Sequence, residues 1–289
     1  MKFLKKLIKN KGFYRLAYEP GHYASPIPNL EEAMEELERE KGLTEIPGVD
    51  LNFNGQCAVV KKLAPIVQKI PYKDNRSDQF RYYFENAMFQ HTDGSILYGI
   101  IKLVEPKRII EVGSGFSSAI MLDMNERKEN DRIELTFTEP YPERLNSLIS
   151  SNDKQNVIII EKKIQDIDLN IFDDLEENDV LFLDTSHIAK TGSDVTFWTF
   201  NVLPRLKKGV LIHIHDVFWP FNYSEQWVKN NKCYNEAYLI RAFLQFNESF
   251  EIFLFNSYLK SVHSEFFNAS FPSLMEHHGG GSLWLRKTK

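Results

Sequence analysis

The sequence is poor in cysteine, in long apolar runs and in excess positive charge. Cys57 and Cys233 are the two cysteines in 289 residues. They make neither a disulfide framework nor a zinc-ligand spacing, which favours a reducing compartment, and we predict a cytoplasmic protein. No apolar run is long enough to span a bilayer, so we expect no transmembrane segment. The net charge of −5 provides no basic field and argues against nucleic acid as a partner.

The first part of the chain, residues 1–79, carries no recognisable chemistry, and we expect a helical cap or extension ahead of a domain at 80–289. Its clearest element is an exposed acidic helix predicted at 31–41. In Met1–Lys9 the apolar side chains share one helical face and the lysines lie opposite. Such a face favours at most a weak peripheral contact with an anionic membrane, and a frayed surface helix is the plainer interpretation.

Residues 51–107 have the pattern of a helical lead-in to that domain. The stretch Gln79–Met88 is rich in aromatic residues, most of which we expect in the core. A polar segment, His91–Gly94, separates two helical stretches and is either a helix cap or a ligand-facing loop. The second helix is predicted at 95–104 and ends before Pro106.

From residue 108 onwards, strand patterns alternate with helical ones, which predicts an α/β fold with a parallel sheet and right-handed crossovers. The predicted strands are 108–112, 133–138, 157–160, 180–183, 210–214, 250–255 and 282–286. We expect 256–281, which ends in three glycines, to be a long surface loop. The sequence contains no internal repeat and no low-complexity tract.

The first of these strands is followed by a glycine turn. Gly113 and Gly115 allow the backbone to turn sharply and leave no Cβ between the main chain and a ligand. Glu111 lies inside the otherwise apolar strand, where a carboxylate needs a partner. The pattern predicts a strand, a tight turn and a helix start, which in many proteins is an ordinary connection and in others a ligand site.

Two serines follow the glycine turn. Either Ser117 or Ser118 can cap the helix that continues through Ala119, and the amides at that helix start favour a partner with negative or acceptor character. Ser118 also occupies the third position of the dinucleotide fingerprint, where Gly or Ala is expected. The turn is therefore an imperfect match to a nicotinamide-binding site.

Chemically useful residues follow the ends of several predicted strands: Gly113 and Gly115 after the first, Glu139 after the second, Gln165-Asp166 after the third, Asp184 after the fourth and His215-Asp216 after the fifth. In open α/β sheets, ligands bind beyond the carboxyl ends of the strands. A carboxylate at Glu139 suits both hydroxyls of a ribose. Asp166 suits an adenine amino group, or equally a helix cap. We therefore predict a ligand site at this edge of the sheet.

Carboxylates and imidazoles cluster after the fourth and fifth strands. Asp184, His187, His215 and Asp216 have the chemistry to bind a divalent metal or to supply a general base. Mixed carboxylate and imidazole ligands suit a transition metal better than magnesium. His213 shares a strand face with His215, and we expect it to be a satisfied core residue.

This series of residues resembles a known family. Glu111-Val112-Gly113-Ser114-Gly115, followed by Glu139, Gln165-Asp166 and Asp184, is similar to the motif series of class I S-adenosylmethionine-dependent methyltransferases. A second set of segments resembles the bacterial methyltransferase-24-type branch: Asp184-Thr185-Ser186-His187, Lys190-Thr191-Gly192-Ser193-Asp194, Leu203-Pro204-Arg205-Leu206, His213-Ile214-His215-Asp216-Val217-Phe218-Trp219-Pro220 and Asn235-Glu236-Ala237-Tyr238-Leu239. The resemblance covers about 80–289.

The resemblance implies a Rossmann-like seven-stranded sheet of order 3-2-1-4-5-7-6, with the last strand antiparallel and helices on both faces. The implied cofactor, S-adenosyl-L-methionine, would be bound by residues along this sheet edge: Glu111, Gly113, Ser114, Gly115, Glu139, Asp166 and Asp184. Metal-dependent relatives such as catechol O-methyltransferase hold an ion after strands four and five. The corresponding positions here are Asp184, His215 and Asp216, with His215 in place of a carboxylate.

The implied activity is O-methylation of a small molecule or sugar, in a surface-polysaccharide or natural-product pathway. We predict His215 or His187 as the base and Asp184 or Asp216 as its orienting partner. The aromatic residues after strand five form either an acceptor wall or loop packing: Phe218, Trp219, Phe221 and Tyr223. A nicotinamide-dependent oxidoreductase and a non-catalytic Rossmann-like binding subunit are the alternatives. The sequence also leaves a homo-oligomer open.

Overall fold

A computed structural model of the protein describes residues 16–127 and 132–289. The predicted membrane-contacting segment Met1–Lys9 lies outside these residues. In the described part of the chain, no helix is both long enough and apolar enough to cross a membrane.

The described residues form one seven-stranded sheet of order β3-β2-β1-β4-β5-β7-β6. Its strands are β1 (Arg108–Val112), β2 (Glu134–Thr138), β3 (Val157–Ile160), β4 (Val180–Leu183), β5 (Leu211–Ile214), β6 (Phe250–Phe255) and β7 (Leu283–Lys287). The first five run parallel, and β7 is antiparallel to both β5 and β6. The predicted sheet order and strand direction are therefore confirmed.

The register of the sheet brings the strand ends together. Val112 at the end of β1 is paired with Thr138 at the end of β2 and with Leu183 at the end of β4. Leu183 is in turn paired with Ile214 at the end of β5. All four residues of β4 and of β5 are buried, as expected for central parallel strands covered on both faces. The residues that follow these four ends consequently meet at one edge.

Helices surround the sheet. Among the described residues they are α1 (Leu30–Arg39), α2 (Phe53–Val67), α3 (His91–Val104), α4 (Phe116–Glu126), α5 (Glu143–Leu148), α6 (Asn170–Asp173), α7 (Asp194–Phe197), α8 (Glu225–Lys229), α9 (Glu236–Leu244), α10 (Asn256–Val262) and α11 (Ser264–Ser270). A π-helical turn, Trp198–Val202, continues α7.

Three of the predicted elements differ from the structure. The polar segment His91–Gly94 is the first turn of α3 rather than a loop before it. The aromatic stretch Gln79–Met88 is irregular and not helical. The supposed surface loop 256–281 contains α10 and α11, which bury Leu259 and Phe267. These helices have seven residues each, too few for a clear amphipathic period.

The chain divides into two compact units. The smaller contains the described residues up to Lys41 together with Tyr223–Cys233, and in it α1 packs against α8. The larger contains Gly42–Asn222 and Tyr234–Lys289, and so the whole sheet. The domain boundary predicted at residue 79 falls inside this larger unit.

Candidate active site

The glycine turn after β1 lies directly against the end of β4. Gly113 has a φ of +85°, and a Cβ added there would lie 1.7 Å from the carbonyl oxygen of Asp184. The Gly113 N–H donates to the Thr138 carbonyl at 2.9 Å, and the Asp184 N–H donates to the Val112 carbonyl at 2.9 Å. Glycine is therefore required here by both backbone conformation and close approach.

Glu111 supports this turn from beneath. Its carboxyl is fully buried and accepts hydrogen bonds from Ser117 Oγ, at 2.5 Å, and from Ser118 Oγ. Burial raises the pKa of Glu111 to about 8, although the two serine bonds oppose the rise. The Gly115 N–H donates to Ser118 Oγ at 3.0 Å. The predicted need for a partner to Glu111 is met by the two serines.

The same contacts bear on the predicted helix cap. Helix α4 begins at Phe116 after Gly115, so Ser117 and Ser118 lie inside its first turn, and Ser118 Oγ accepts the N–H of Gly115 as in a capping box. Both serine hydroxyls also donate to the carboxyl of Glu111. The third position of the fingerprint is thus occupied by a hydroxyl that ties the helix start to the strand.

A cleft of about 410 Å³ lies beyond the carboxyl ends of β1 to β4. The residues that line it come from every one of these strand ends and from the segment that follows β4: Val112, Gly113, Thr138, Glu139, Pro140, Tyr141, Lys163, Ile164, Gln165, Asp184, Thr185, Ser186, Lys190, Gly192, Ser193 and Asp194. Three predicted site residues are therefore brought together in it, namely Gly113, Glu139 and Asp184.

Glu139 is held in a fixed orientation in this cleft. Its Oε1 accepts the Tyr141 N–H at 2.8 Å, and its Oε2 accepts the Ser114 N–H at 3.2 Å. A carboxylate has about four acceptor sites, so each oxygen keeps capacity for a ligand donor. The second amide is that of Ser114, which links Glu139 to the glycine turn.

The segment after β3 contributes a different residue from the one predicted. Gln165 lines the cleft and donates from Nε2 to the Gly192 carbonyl at 2.9 Å. Asp166 is exposed and is not among the residues that line the cleft. Lys163 and Lys190 line it as well, and neither was predicted as a site residue.

His187 is the centre of a second group of side chains. It has a positive φ of 58°, unusual for a residue with a side chain, and its ring is buried. Nδ1 lies 2.8 Å from Glu236 Oε2, and Nε2 lies 3.6 Å from Asp184 Oδ1 and 3.4 Å from Asp216 Oδ2. Burial is the largest single effect and opposes the charged ring, but Glu236, Asp216 and Asp184 together outweigh it and raise the pKa of His187 to about 9.

Glu236 was not predicted as a site residue. It lies in the first turn of α9 and is 1% exposed. Burial raises the pKa of its carboxyl, and the ring of His187 opposes that rise. A glutamate in the first turn of a helix is common for local reasons, so its role becomes visible only when the fold places it beside His187.

Asp216 lies between two imidazoles. Its Oδ2 faces His187, and its Oδ1 is 3.7 Å from Nε2 of His215. The ring of His215 is buried against Phe89 at 5.1 Å, and its Nδ1 has no hydrogen-bond partner. Burial opposes the charged form of His215, but Asp184 and Asp216 raise its pKa above the ordinary value.

His213 is confirmed as a core residue. It is fully buried, stacks on Phe182 at 3.8 Å and contacts Ser282 Oγ through Nε2 at 2.9 Å. Ser282 in turn donates to Asp93 Oδ1 at 2.6 Å. Burial lowers the pKa of His213 well below its usual range. The ring is therefore neutral and structural.

The predicted metal ligands Asp184, His215 and Asp216 do not fit a metal ion in this arrangement. The ring of His187 lies at ion-pair distance from both carboxylates, in the place where an ion would bridge them. A divalent ion needs its ligand oxygens at about 2.0–2.6 Å, which the ring would block. Among the residues of 16–127 and 132–289, no group of three or more His, Cys, Asp or Glu is arranged to hold a metal.

The aromatic residues after β5 are tied into local packing. Phe221 is buried against Phe255 at 5.2 Å, and Trp219 lies 4.8 Å from Tyr258 and donates to the Leu43 carbonyl at 3.2 Å. These contacts favour the packing interpretation for Trp219 and Phe221. The acceptor wall stays a prediction.

The comparison with known proteins gives a family match. Residues 110–217 match the model of a methyltransferase domain family, of the methyltransferase-24 type. The chain belongs to the class I S-adenosylmethionine-dependent methyltransferases. An uncharacterized protein of Archaeoglobus fulgidus is 35% identical to this methyltransferase over 169 residues, which are 56% of this chain and 75% of the relative.

Solved structures similar to this methyltransferase include two methyltransferases. One is from Podospora anserina with bound S-adenosylhomocysteine; it is 18% identical, with 91% of this chain and 98% of that chain covered, at a TM-score of 0.44. The other is an O-methyltransferase from Streptomyces achromogenes, involved in tomaymycin synthesis, in complex with S-adenosylmethionine. It is 13% identical, with 91% and 100% of the two chains covered, at a TM-score of 0.41.

Proposed function

We propose that this methyltransferase transfers a methyl group to a hydroxyl of a small molecule or sugar. The observation that carries the proposal is that Asp184 belongs both to the cleft and to the group of side chains around His187. It lines the cleft at the strand ends, and its Oδ1 lies 3.6 Å from Nε2 of His187. The cleft therefore adjoins a group of imidazoles and carboxylates suited to holding a hydroxyl and removing its proton.

We propose that the cleft holds S-adenosyl-L-methionine. When bound, the cofactor supplies a methyl group on a sulfonium, which is already a good leaving group. Glu139 would accept the two ribose hydroxyls with the acceptor capacity that the amides of Ser114 and Tyr141 leave unused. Gly113 keeps the main chain flat against β4, and Glu111 holds the turn in place from below.

The reaction needs alignment and one proton acceptor. Transfer to a hydroxyl would form a carbon–oxygen bond as the carbon–sulfur bond of the cofactor breaks, and this chain would have to take up the hydroxyl proton. We propose that His215 takes this proton at Nε2, because its Nδ1 is buried without a partner. The carboxylate of Asp216, 3.7 Å from Nε2, orients the ring and favours its charged form. His187, with a pKa of about 9, is protonated at neutral pH and better suited to holding the acceptor oxygen than to removing a proton.

The test is methyl transfer itself. The protein is incubated with S-adenosylmethionine carrying a labelled methyl group and with a panel of phenols, catechols and sugars. We expect a labelled product that is stable to base, as an O-methyl ether is, for at least one hydroxyl acceptor. Transfer only to amines or thiols, with none to any hydroxyl, would contradict the proposed acceptor chemistry while leaving the methyltransferase itself intact.

A further inference from the structure

The position of His187 is built into the protein by two elements. Its main-chain carbonyl accepts the N–H groups of Asn235, at 3.1 Å, and Glu236, at 3.3 Å. The side chain of Asn235 accepts the Ala189 N–H at 2.6 Å and donates to the Ala189 carbonyl at 3.2 Å. The start of α9 thus clamps the loop after β4 at the histidine and at Ala189, two residues further on. This clamp explains how a residue with a side chain holds a positive φ.

The ring of His187 is held at Nδ1, and its other nitrogen, Nε2, faces the candidate site. Glu236, itself 1% exposed, meets Nδ1 at 2.8 Å. Nε2 then faces the carboxylates of Asp184 and Asp216, which are 35% and 22% exposed. A ring with an N–H at each nitrogen is a cation, and a carboxylate facing each nitrogen favours that form.

We propose that the ring of His187 takes the place of a divalent cation between Asp184 and Asp216, so that this methyltransferase acts without a metal ion. The inference rests on the proposed function, in which these carboxylates adjoin the acceptor. Two carboxylates facing one site repel each other unless a positive group lies between them. In this chain that group is a side chain, and Glu236 is the positioning residue that aligns it.

The position of His187 also predicts how the protein binds metal ions, and this prediction can be tested without a methyl acceptor. Removal of the ring leaves Asp184, Asp216 and Glu236 around an open space, with the ring of His215 beside the other oxygen of Asp216. Three carboxylates with space between them are a hard-oxygen site of the type that Mn²⁺ binds. A metal site should therefore be gained, rather than lost, when the histidine is removed.

The experiment is a Mn²⁺ titration, followed by electron paramagnetic resonance of the free ion, on the full chain. Wild type is compared with His187→Ala and with the double variant His187→Ala/Asp216→Asn. We expect His187→Ala to bind Mn²⁺ at least tenfold more tightly than wild type, and the double variant to lose that gain. Stoichiometric binding of Mn²⁺ by wild type, abolished by Asp184→Asn, would overturn the proposal.

A second variant, Glu236→Gln, tests the proposal independently in case His187→Ala does not fold. Glu236→Gln keeps the ring and its hydrogen bond but removes the buried charge. We expect kcat to fall at least tenfold, with the Kd for S-adenosylhomocysteine unchanged, and wild-type activity to survive EDTA. Activity lost in EDTA and restored by Mg²⁺ or Mn²⁺ would contradict the inference. Because the Mn²⁺ titrations involve neither cofactor nor acceptor, their result stands apart from that of the labelled methyl transfer.

Discussion

Replacing Glu139 by alanine should weaken cofactor binding by about a hundredfold. Two ligand hydroxyls donating to one charged carboxylate contribute about 1.5–3 kcal/mol each, and the variant loses both. A total of about 3 kcal/mol corresponds to on the order of a hundredfold in Kd, because each 1.4 kcal/mol is tenfold. The Kd of Glu139→Gln should lie between those of wild type and Glu139→Ala, since the amide keeps one acceptor oxygen.

The variant also removes the acceptor for the amides of Ser114 and Tyr141. The contact with Tyr141 is exposed and that with Ser114 is part-buried beside the cleft, so water can replace the carboxylate and the fold should survive. Isothermal titration with S-adenosylhomocysteine measures the Kd, and a thermal melt without ligand checks folding. Glu161→Ala is the matched control, because this exposed glutamate follows β3 and does not line the cleft. A Kd within threefold of wild type in a folded Glu139→Ala protein would refute the reasoning.

Three further changes test other parts of the account. Gly113→Ala should lower the free energy of unfolding by more than about 2 kcal/mol in denaturant titrations, because its Cβ would meet the carbonyl of Asp184. The control is Gly192→Ala, which should cost only about 1 kcal/mol because Gly192 has a φ of +78° but no atom within 4 Å of an added Cβ. Equal losses of stability in the two variants would contradict this prediction. His215→Ala should lower kcat by on the order of a hundredfold or more and leave the Kd for S-adenosylhomocysteine unchanged; full activity would exclude it as the base. The raised pKa of His187 adds stability that is complete below about pH 6.5 and is lost as the pH rises through about 9, so the Tm advantage of wild type over His187→Gln should shrink between pH 7 and 10. A constant difference over that range would contradict a pKa of about 9 for His187.

The sheet and much of the cleft could be predicted because they depend on local sequence. A central parallel strand is a continuous apolar run, and the residue after it lies at the ligand-binding edge whatever the rest of the fold does. Gly113, Glu139 and Asp184 were found in this way. Asp166 and Gln165 are adjacent in sequence, and which of the two lines the cleft depends on the conformation of a short turn.

The pairing of His187 with Glu236 could not be predicted by the same reasoning. The two residues are separated by 49 positions, and each has an ordinary local explanation. Their contact, and with it the raised pKa of His187, exists only because α9 returns to the loop after β4. The poor fit of the predicted metal ligands has the same origin, since sequence places Asp184 and Asp216 at one edge but does not show that the ring of His187 contacts both.

The most direct test of the central claim is a thermal melt with S-adenosylhomocysteine, NAD and NADP in parallel. Ligand at a hundred times its Kd stabilises the folded state by about 2.7 kcal/mol, which for a chain of this size is a shift in Tm of roughly 5 °C or more. The account predicts this shift with S-adenosylhomocysteine alone, and its loss in Glu139→Ala. A shift with NAD or NADP alone, or no shift with S-adenosylhomocysteine at that concentration, would contradict it.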